Sequence, residues 1–252
     1  MCIKWVHILL GLVIIGLVGL AVIIWPQVFP PGSSVELISF LALILAFIGA
    51  INYFLYELTK RDIEARTKDI AEESQNFAAA KAHFTTAYAL WTYYHCHCEV
   101  SGDENRNKHS QLLDQAIIEA RNSVDFANKL NPTTHEELLC MCKNNLAFFL
   151  AARRNMNDEK EARRHAEDIY NAATNKNKVT NFKRTYVWKA TWALVLWRFY
   201  EKDIRSKKMA HEIANELLEN PMITPDILKN FKDGWKFIGG KSFHQIMEDL
   251  KM

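Results

Sequence analysis

The stretch Trp5–Trp25 contains no Asp, Glu, Lys or Arg, and it constrains the fold more than any other part of the chain. About 20 helical residues at ~1.5 Å each span the ~30 Å hydrocarbon thickness of a bilayer. The two Trp residues would then lie at the two interfaces, where amphipathic rings are favoured. A secretory signal peptide needs a shorter apolar run and a small-residue cleavage site, and Ile24–Gln27 supplies neither. The stretch therefore predicts a transmembrane helix.

A second apolar run, Val35–Leu58, follows a turn that contains three prolines. Because the bilayer has no water to satisfy backbone groups, two helices joined by a short turn are the simplest arrangement. Ala42, Ala46 and Ala50 recur every fourth residue and form a small-residue face on which another helix can pack closely. Residues 1–58 are predicted to be a two-pass transmembrane hairpin, with the lipid bilayer as its partner.

Basic residues near the two crossings predict the orientation of this hairpin. Lys4 precedes the first crossing, the turn between the crossings has no Lys or Arg, and four basic residues follow the second: Lys60, Arg61, Arg66 and Lys68. Cytoplasmic flanks are enriched in Lys and Arg. Both termini are therefore predicted to be cytoplasmic.

The rest of the chain has the composition of an ordinary soluble body. All 31 basic and 29 acidic residues except Lys4, Glu36 and Glu57 lie in 59–252, and the net charge is only +2. This balance argues against nucleic acid as a partner. The five cysteines are odd in number and do not have the spacing of a disulfide framework, which fits a reducing compartment.

Residues 59–77 are predicted to be a helical stalk that continues the second crossing, since no proline lies between Val35 and Val100. Apolar residues stand seven apart along it: Tyr56, Ile63, Ile70, Phe77, Phe84 and Trp91. A seven-residue repeat defines a seam. Its companion positions are mostly polar, so two alternatives are open: packing against the following helices beyond Phe77, or self-association of the stalk.

Residues 78–238 are predicted to be a series of amphipathic helices, because apolar residues recur three and four positions apart. The same small-residue spacing appears in three of them, at Ala120-x3-Val124-x2-Ala127, Ala162-x3-Ala166-x2-Ile169 and Ala210-x3-Ala214-x2-Leu217. Pro132 and Pro221 follow the first and third of these segments. Residues 239–252 are predicted to form a short amphipathic tail, interpreted as a cover for the end of the series or as a detachable motif.

This pattern resembles the tetratricopeptide repeat, a helix pair that ends in Pro, in a degenerate form. The partner helices of the later two pairs would contain Asn145-Leu146-Ala147 with Leu150, and Trp188 with Trp192 and Val195. Ala120 to Ala162 is 42 residues and Ala162 to Ala210 is 48, against about 34 in a regular unit. HEAT-type helix pairs and an irregular helical bundle are the alternatives.

The resemblance implies a concave groove, lined by the first helix of each pair, that grips a peptide. Five residues would line it: Asn145, Arg153, Lys189, Trp192 and Arg198. Asn145 falls where peptide-gripping members of that family often have an Asn that bonds the ligand backbone or terminus. Ordinary surface charges are the alternative explanation for the basic residues.

No enzyme motif, cofactor site or metal site is predicted. The chain has no glycine-rich phosphate loop and no Gly-x-Ser-x-Gly elbow. Cys96 and Cys98, like Cys140 and Cys142, are two apart, so on a helix they point in opposed directions and cannot hold one ion. These cysteines are expected to fill core.

The sequence thus predicts a non-enzymatic, membrane-anchored scaffold or adaptor that binds an unidentified protein or peptide at the cytoplasmic face. The alternative is a structural or channel-like subunit of a homo-oligomeric membrane assembly. That alternative gains from the Ala42/Ala46/Ala50 face and the stalk repeat. It is weakened by the absence of charged side chains inside the crossings.

Overall fold

A computed structural model describes Gly16, Gly19 and Ile23 singly, and residues 34–101, 109–153, 155–174, 182–199 and 203–219. The elements in these ranges are helices: α1 Ser34–Ser101, α2 Ser110–Ala127, α3 Pro132–Arg153, α4 Glu159–Thr174, α5 Phe182–Phe199 and α6 Ile204–Glu219, with a 3-10 turn at Met156–Asp158. The predicted all-α class is confirmed for this part of the chain. The predicted tail, 239–252, and the predicted first crossing, apart from those three single residues, lie outside the described residues.

Helix α1 is a single helix of 68 residues, as the lack of proline in this stretch predicts. The chain divides into two compact units, Met1–Ile70 and Ala71–Met252, and the boundary falls inside the predicted stalk. None of the helices in the part of the chain that the structure describes combines the length and the apolar character that a membrane crossing needs.

In the second unit the helices alternate between two layers. The first layer contains α1 from Ala71 onward, α3 and α5, and the second contains α2, α4 and α6. Consecutive helices from α2 to α6 pack against each other, and α3 also packs against α5.

Within the second layer, the Arg121 guanidinium on α2 donates two hydrogen bonds to the Glu161 carboxylate on α4, at 3.0 Å and 2.5 Å. These bonds lower the pKa of Glu161.

Ring contacts show that α1 and α3 of the first layer are parallel. The ring centroids of Phe77 on α1 and His135 on α3 are 5.1 Å apart. Further along both helices, the Trp91 ring stacks on the Phe149 ring, with centroids 5.2 Å apart. Residue numbers rise together on both helices, which defines a parallel pair. The stalk repeat is therefore packed against the following helices from Phe77 onward, one of the two alternatives that the sequence left open.

The small residues that begin the repeating pattern lie in the core of the second unit. Ala120, Ala162 and Ala210 are completely buried in the second unit. A methyl side chain allows two helix backbones to come near each other without leaving a void. The spacing that the sequence shows three times is thus the spacing of buried positions on each helix.

One cross-layer ion pair occurs twice in the stack. Lys143 on α3 contacts Asp168 on α4, with Nζ and Oδ2 2.6 Å apart, and Lys189 on α5 contacts Glu216 on α6, with Nζ and Oε1 2.5 Å apart. Asp168 lies six residues after Ala162, and Glu216 lies six residues after Ala210. The pairs α3–α4 and α5–α6 therefore repeat one arrangement at the level of individual side chains.

We expect residues 70–252, produced without the apolar head, to form a soluble helical domain that melts cooperatively. The reason is that the second compact unit has its own core, which is built from side chains of all six helices. Circular dichroism during heating measures this directly. An aggregate, or a compact state without a sharp transition, would show that the head completes the fold.

Candidate protein-binding surface

Arg153 lies at the end of α3 and joins three elements. Its Nε and Nη2 donate to Asp158 Oδ2 and Oδ1 at 2.8 Å and 2.6 Å, and its Nη1 donates to Asp114 Oδ1 at 2.8 Å. Asp158 is 3% exposed, in the turn before α4, and Asp114 lies on α2. The hydrogen bonds with Asp158 raise the pKa of Arg153 above its ordinary value. All three nitrogens of the guanidinium are thus engaged inside the stack.

Two other predicted binding residues also contact neighbouring helices. Lys189 pairs with Glu216 on α6, as described above. Trp192 is 3% exposed, and its ring lies 6.2 Å from that of Tyr170 on α4. Its indole Nε1 is buried and has no hydrogen-bond partner among the described residues. Trp192 therefore belongs to the contact between α4 and α5.

Asn145 and Arg198 remain half-buried on helices of the first layer. The Asn145 Nδ2 group is buried and has no hydrogen-bond partner within the ranges that the structure covers. The adjacent Asn144 has one, since its Oδ1 accepts a bond of 2.7 Å from the Thr191 hydroxyl of α5. Asn144 thus connects α3 to α5. The amide nitrogen of Asn145, next to it in the sequence, is a donor without a partner among the described residues.

The five predicted residues do not share one surface of the stack. Lys189 and Arg198 are nine positions apart on α5, which at 3.6 residues per turn places them on opposite faces. Lys189 faces α6, so Arg198 lies away from that helix. The structure brings Arg153, Lys189 and Trp192 into contacts between helices, while Asn145 and Arg198 are half-buried on α3 and α5.

A stripe on α3 was missed by the sequence analysis. Five half-buried residues follow the spacing of one helix face: Leu138, Met141, Asn145, Phe148 and Ala152. The signal was present, because these residues recur at intervals of three and four. This signal is hard to separate in the sequence, because the same helix has a second, fully buried face with equal periodicity, which includes Leu146, Phe149 and Leu150.

No family model, curated protein or solved structure matches this chain. The assignment of a function therefore depends on the residues themselves. Four of the five stripe residues are apolar, and Asn145 is the only one with an amide. Leu138, Phe148 and Ala152 also pack against the core, and the Phe148 ring contacts that of Trp91 on α1 with centroids 5.1 Å apart. The parts of these side chains that stay exposed can contact an apolar group of a partner while an amide bonds to its backbone.

Burial sets the protonation state of two titratable groups in the core, Cys142 and His165. Cys140 and Cys142 are buried and Cys96 is exposed. Burial raises the pKa of Cys142 to about 11, which keeps the thiol protonated and unreactive at neutral pH. Burial also lowers the pKa of His165 to about 4, so this histidine is neutral. In the described ranges, no group of three or more His, Cys, Asp or Glu side chains is placed to hold a metal ion.

Proposed function

We propose that this protein is a membrane-anchored scaffold whose tetratricopeptide-like domain binds another protein at the cytoplasmic membrane face. The observation that carries the proposal is the contrast between the two units. In the first, Leu45, Phe47, Tyr53 and Phe54 are 68%, 63%, 67% and 62% exposed. In the second, the large apolar side chains are mostly buried in a continuous core.

Apolar exposure of this extent is costly in water and is relieved in lipid. Each large side chain moved out of water contributes about 1.5–3 kcal/mol. The exposed residues lie on more than one face of α1 between Leu45 and Leu58, while a further face with Ile44, Ile48, Ile51 and Leu55 is half-buried. Exposure over most of the helix surface is expected where lipid covers most of it. Together with the uncharged run Trp5–Trp25, the exposed residues support a two-pass hairpin in the bilayer.

The repeated helix pair supports the second half of the proposal. The alternating layers, the buried Ala162 and Ala210, and the recurring Lys–carboxylate pair are features of a helix-pair repeat. Proteins of this type present extended surfaces to partners. The stripe Leu138–Ala152 on α3, with Arg198 on α5, is the surface that we propose for a peptide segment.

We expect the hairpin to place its connecting turn outside the cytoplasm. In a background without native cysteines, Ser33→Cys should be labelled by an impermeant thiol reagent added to intact cells. Thr180→Cys should be labelled only after permeabilisation, because it follows the second predicted crossing in the chain. Labelling of Thr180→Cys but not Ser33→Cys in intact cells would reverse the orientation.

We expect Asn145→Ala combined with Arg198→Ala to weaken partner capture by about tenfold, since the pair removes an amide and a charge-assisted contact worth about 1.5 kcal/mol together. Capture of partners from native membranes, quantified by mass spectrometry, measures the change. Lys208→Ala is the control, because its side chain is exposed on α6, outside the proposed surface. Equal loss in the control, or a fall in melting temperature in the double variant, would contradict the assignment of this surface.

A homo-oligomeric assembly is the second candidate, and one observation favours it. Tyr56, Ile63 and Ile70 stand seven apart on α1 and are 63%, 57% and 68% exposed. The nearby Thr59 hydroxyl donates a hydrogen bond of 2.8 Å to the Leu55 carbonyl of the same helix. The hydroxyl hydrogen is therefore already used and does not need a partner on another helix. The mass of the detergent-solubilised protein decides between the candidates. If the protein is a multimer and Ile63→Lys dissociates it, the homo-oligomeric assembly is favoured.

A further inference from the structure

Two histidine rings meet where α1 ends and α2 begins. His97 lies in the last turns of α1, and His109 immediately precedes α2. Their ring centroids are 5.3 Å apart and the planes are inclined by 66°. Both side chains are half-buried, so small ions in solvent can reach them. The function proposed above does not use this pair.

The hydrogen bond of His97 determines which nitrogen is available. Its Nδ1 lies 3.0 Å from the backbone carbonyl oxygen of Tyr93. A carbonyl only accepts, so in the neutral ring Nδ1 carries the proton and Nε2 has the lone pair. The same bond from the distal nitrogen to a carbonyl orients most metal-ligating histidines. The Tyr93 ring, 4.0 Å from that of His97, restricts the imidazole further.

His109 is not engaged in capping the helix that follows it. It occupies the position before the first residue of α2, yet its side chain makes no cap hydrogen bond. Its backbone carbonyl does accept a bond of 3.0 Å from the Leu112 amide, which fixes the backbone at this point. The imidazole is thus held near His97 by an ordered backbone, without a capping function of its own.

The separation of the rings suits coordination of one ion. Two imidazoles bound to a tetrahedral Zn²⁺ at ~2.1 Å per bond have their centroids roughly 5 Å apart. Imidazole nitrogen is a ligand that borderline ions such as Zn²⁺ accept and that hard ions such as Mg²⁺ do not favour. The observed centroid distance of 5.3 Å therefore matches that of two imidazoles on one ion.

We propose that His97 and His109 form a two-histidine site for Zn²⁺ or a similar divalent ion, which links the end of α1 to the start of α2. Water would complete the coordination, since the pair supplies only two protein ligands. The ion would close the connection between the two helices and stabilise the first helix pair of the stack by binding to the folded state alone.

The test uses the full chain in detergent, with Zn²⁺ titrated against a chromophoric chelator and melting recorded with and without the ion. We expect one Zn²⁺ per chain and a higher melting temperature, with no such shift from Mg²⁺. His97→Gln and His109→Gln should each weaken binding by roughly tenfold or more. His211→Gln on α6 is the matched control and should bind as the natural chain does. Melting in EDTA verifies that each variant is folded.

Two results would overturn the proposal. One is a natural chain that binds no Zn²⁺ above the level of the combined His97→Gln/His109→Gln variant. The other is binding that survives that combined variant and is lost in Cys96→Ser/Cys98→Ser, which would assign the ion to the thiolates. Loss of binding in the histidine variants with retention in the cysteine variant supports the site.

Discussion

Arg153→Ala should lower the free energy of unfolding of residues 70–252 by about 3–5 kcal/mol, because it leaves a buried carboxylate without its cation. Asp158 is 3% exposed and receives two hydrogen bonds from Arg153. The substitution also releases Asp114 on α2, so the contact among three elements opens together. Chemical denaturation followed by circular dichroism measures the loss.

Two further variants separate charge from geometry at this position. Arg153→Lys keeps the charge and loses the forked donor arrangement, so we expect an intermediate loss. Asp158→Asn added to Arg153→Ala removes the unpaired charge and should recover part of the stability. Lys208→Ala is the control, since its pair with Glu212 is exposed on both sides and 4.0 Å long, and such pairs contribute about 0–1 kcal/mol. A loss below about 1 kcal/mol in Arg153→Ala would show that this guanidinium is dispensable.

Phe149→Ala should cost about 3–5 kcal/mol, because it removes a large buried ring and leaves a cavity. Phe149 is 1% exposed, and its ring stacks on that of Trp91 at an angle of 21°. Phe149 is on α3 and its ring forms part of the contact with α1. Removing the ring should therefore weaken the packing of α1 on the rest of the stack. The melting temperature and the denaturation midpoint of residues 70–252 report the effect.

Phe149→Leu retains most of the volume and should cost clearly less than Phe149→Ala. Tyr88→Ala on α1 is the control for an aromatic ring that is 57% exposed, and it should change stability by no more than about 0.5 kcal/mol. Comparable losses from Tyr88→Ala and Phe149→Ala would mean that the core does not run through the α1–α3 contact.

The helical architecture could be predicted from the sequence because the signals for it are local. The small-residue pattern that begins at Ala120 predicts one helix, and so do the patterns that begin at Ala162 and Ala210. All three alanines are buried in the structure. The absence of proline between Val35 and Val100 predicts the length of α1. Such features depend on residues a few positions apart, where helix geometry alone determines which side chains share a face.

The roles of the basic residues could not be predicted in the same way. Arg153 bonds to Asp114, which is 39 residues away in the sequence, and Lys189 bonds to Glu216, which is 27 residues away. Helix periodicity identifies a face, but the neighbour that covers this face depends on how helices pack. Lys189 therefore resembles a groove residue in the sequence and contacts α6 in the structure. Its function in partner binding stays a prediction.

The order of contacts in the stack has a consequence for how the protein acquires its fold. The principal contacts join helices that are consecutive or next but one along the chain. Chains dominated by such short-range contacts close small loops and fold rapidly, and arrays of repeats can nucleate at one place and grow from there. During synthesis, the pair α1–α2 can thus assemble while α5 and α6 are still in the ribosome. In the finished protein, the terminal pair α5–α6 should exchange its amide hydrogens before the central pair does.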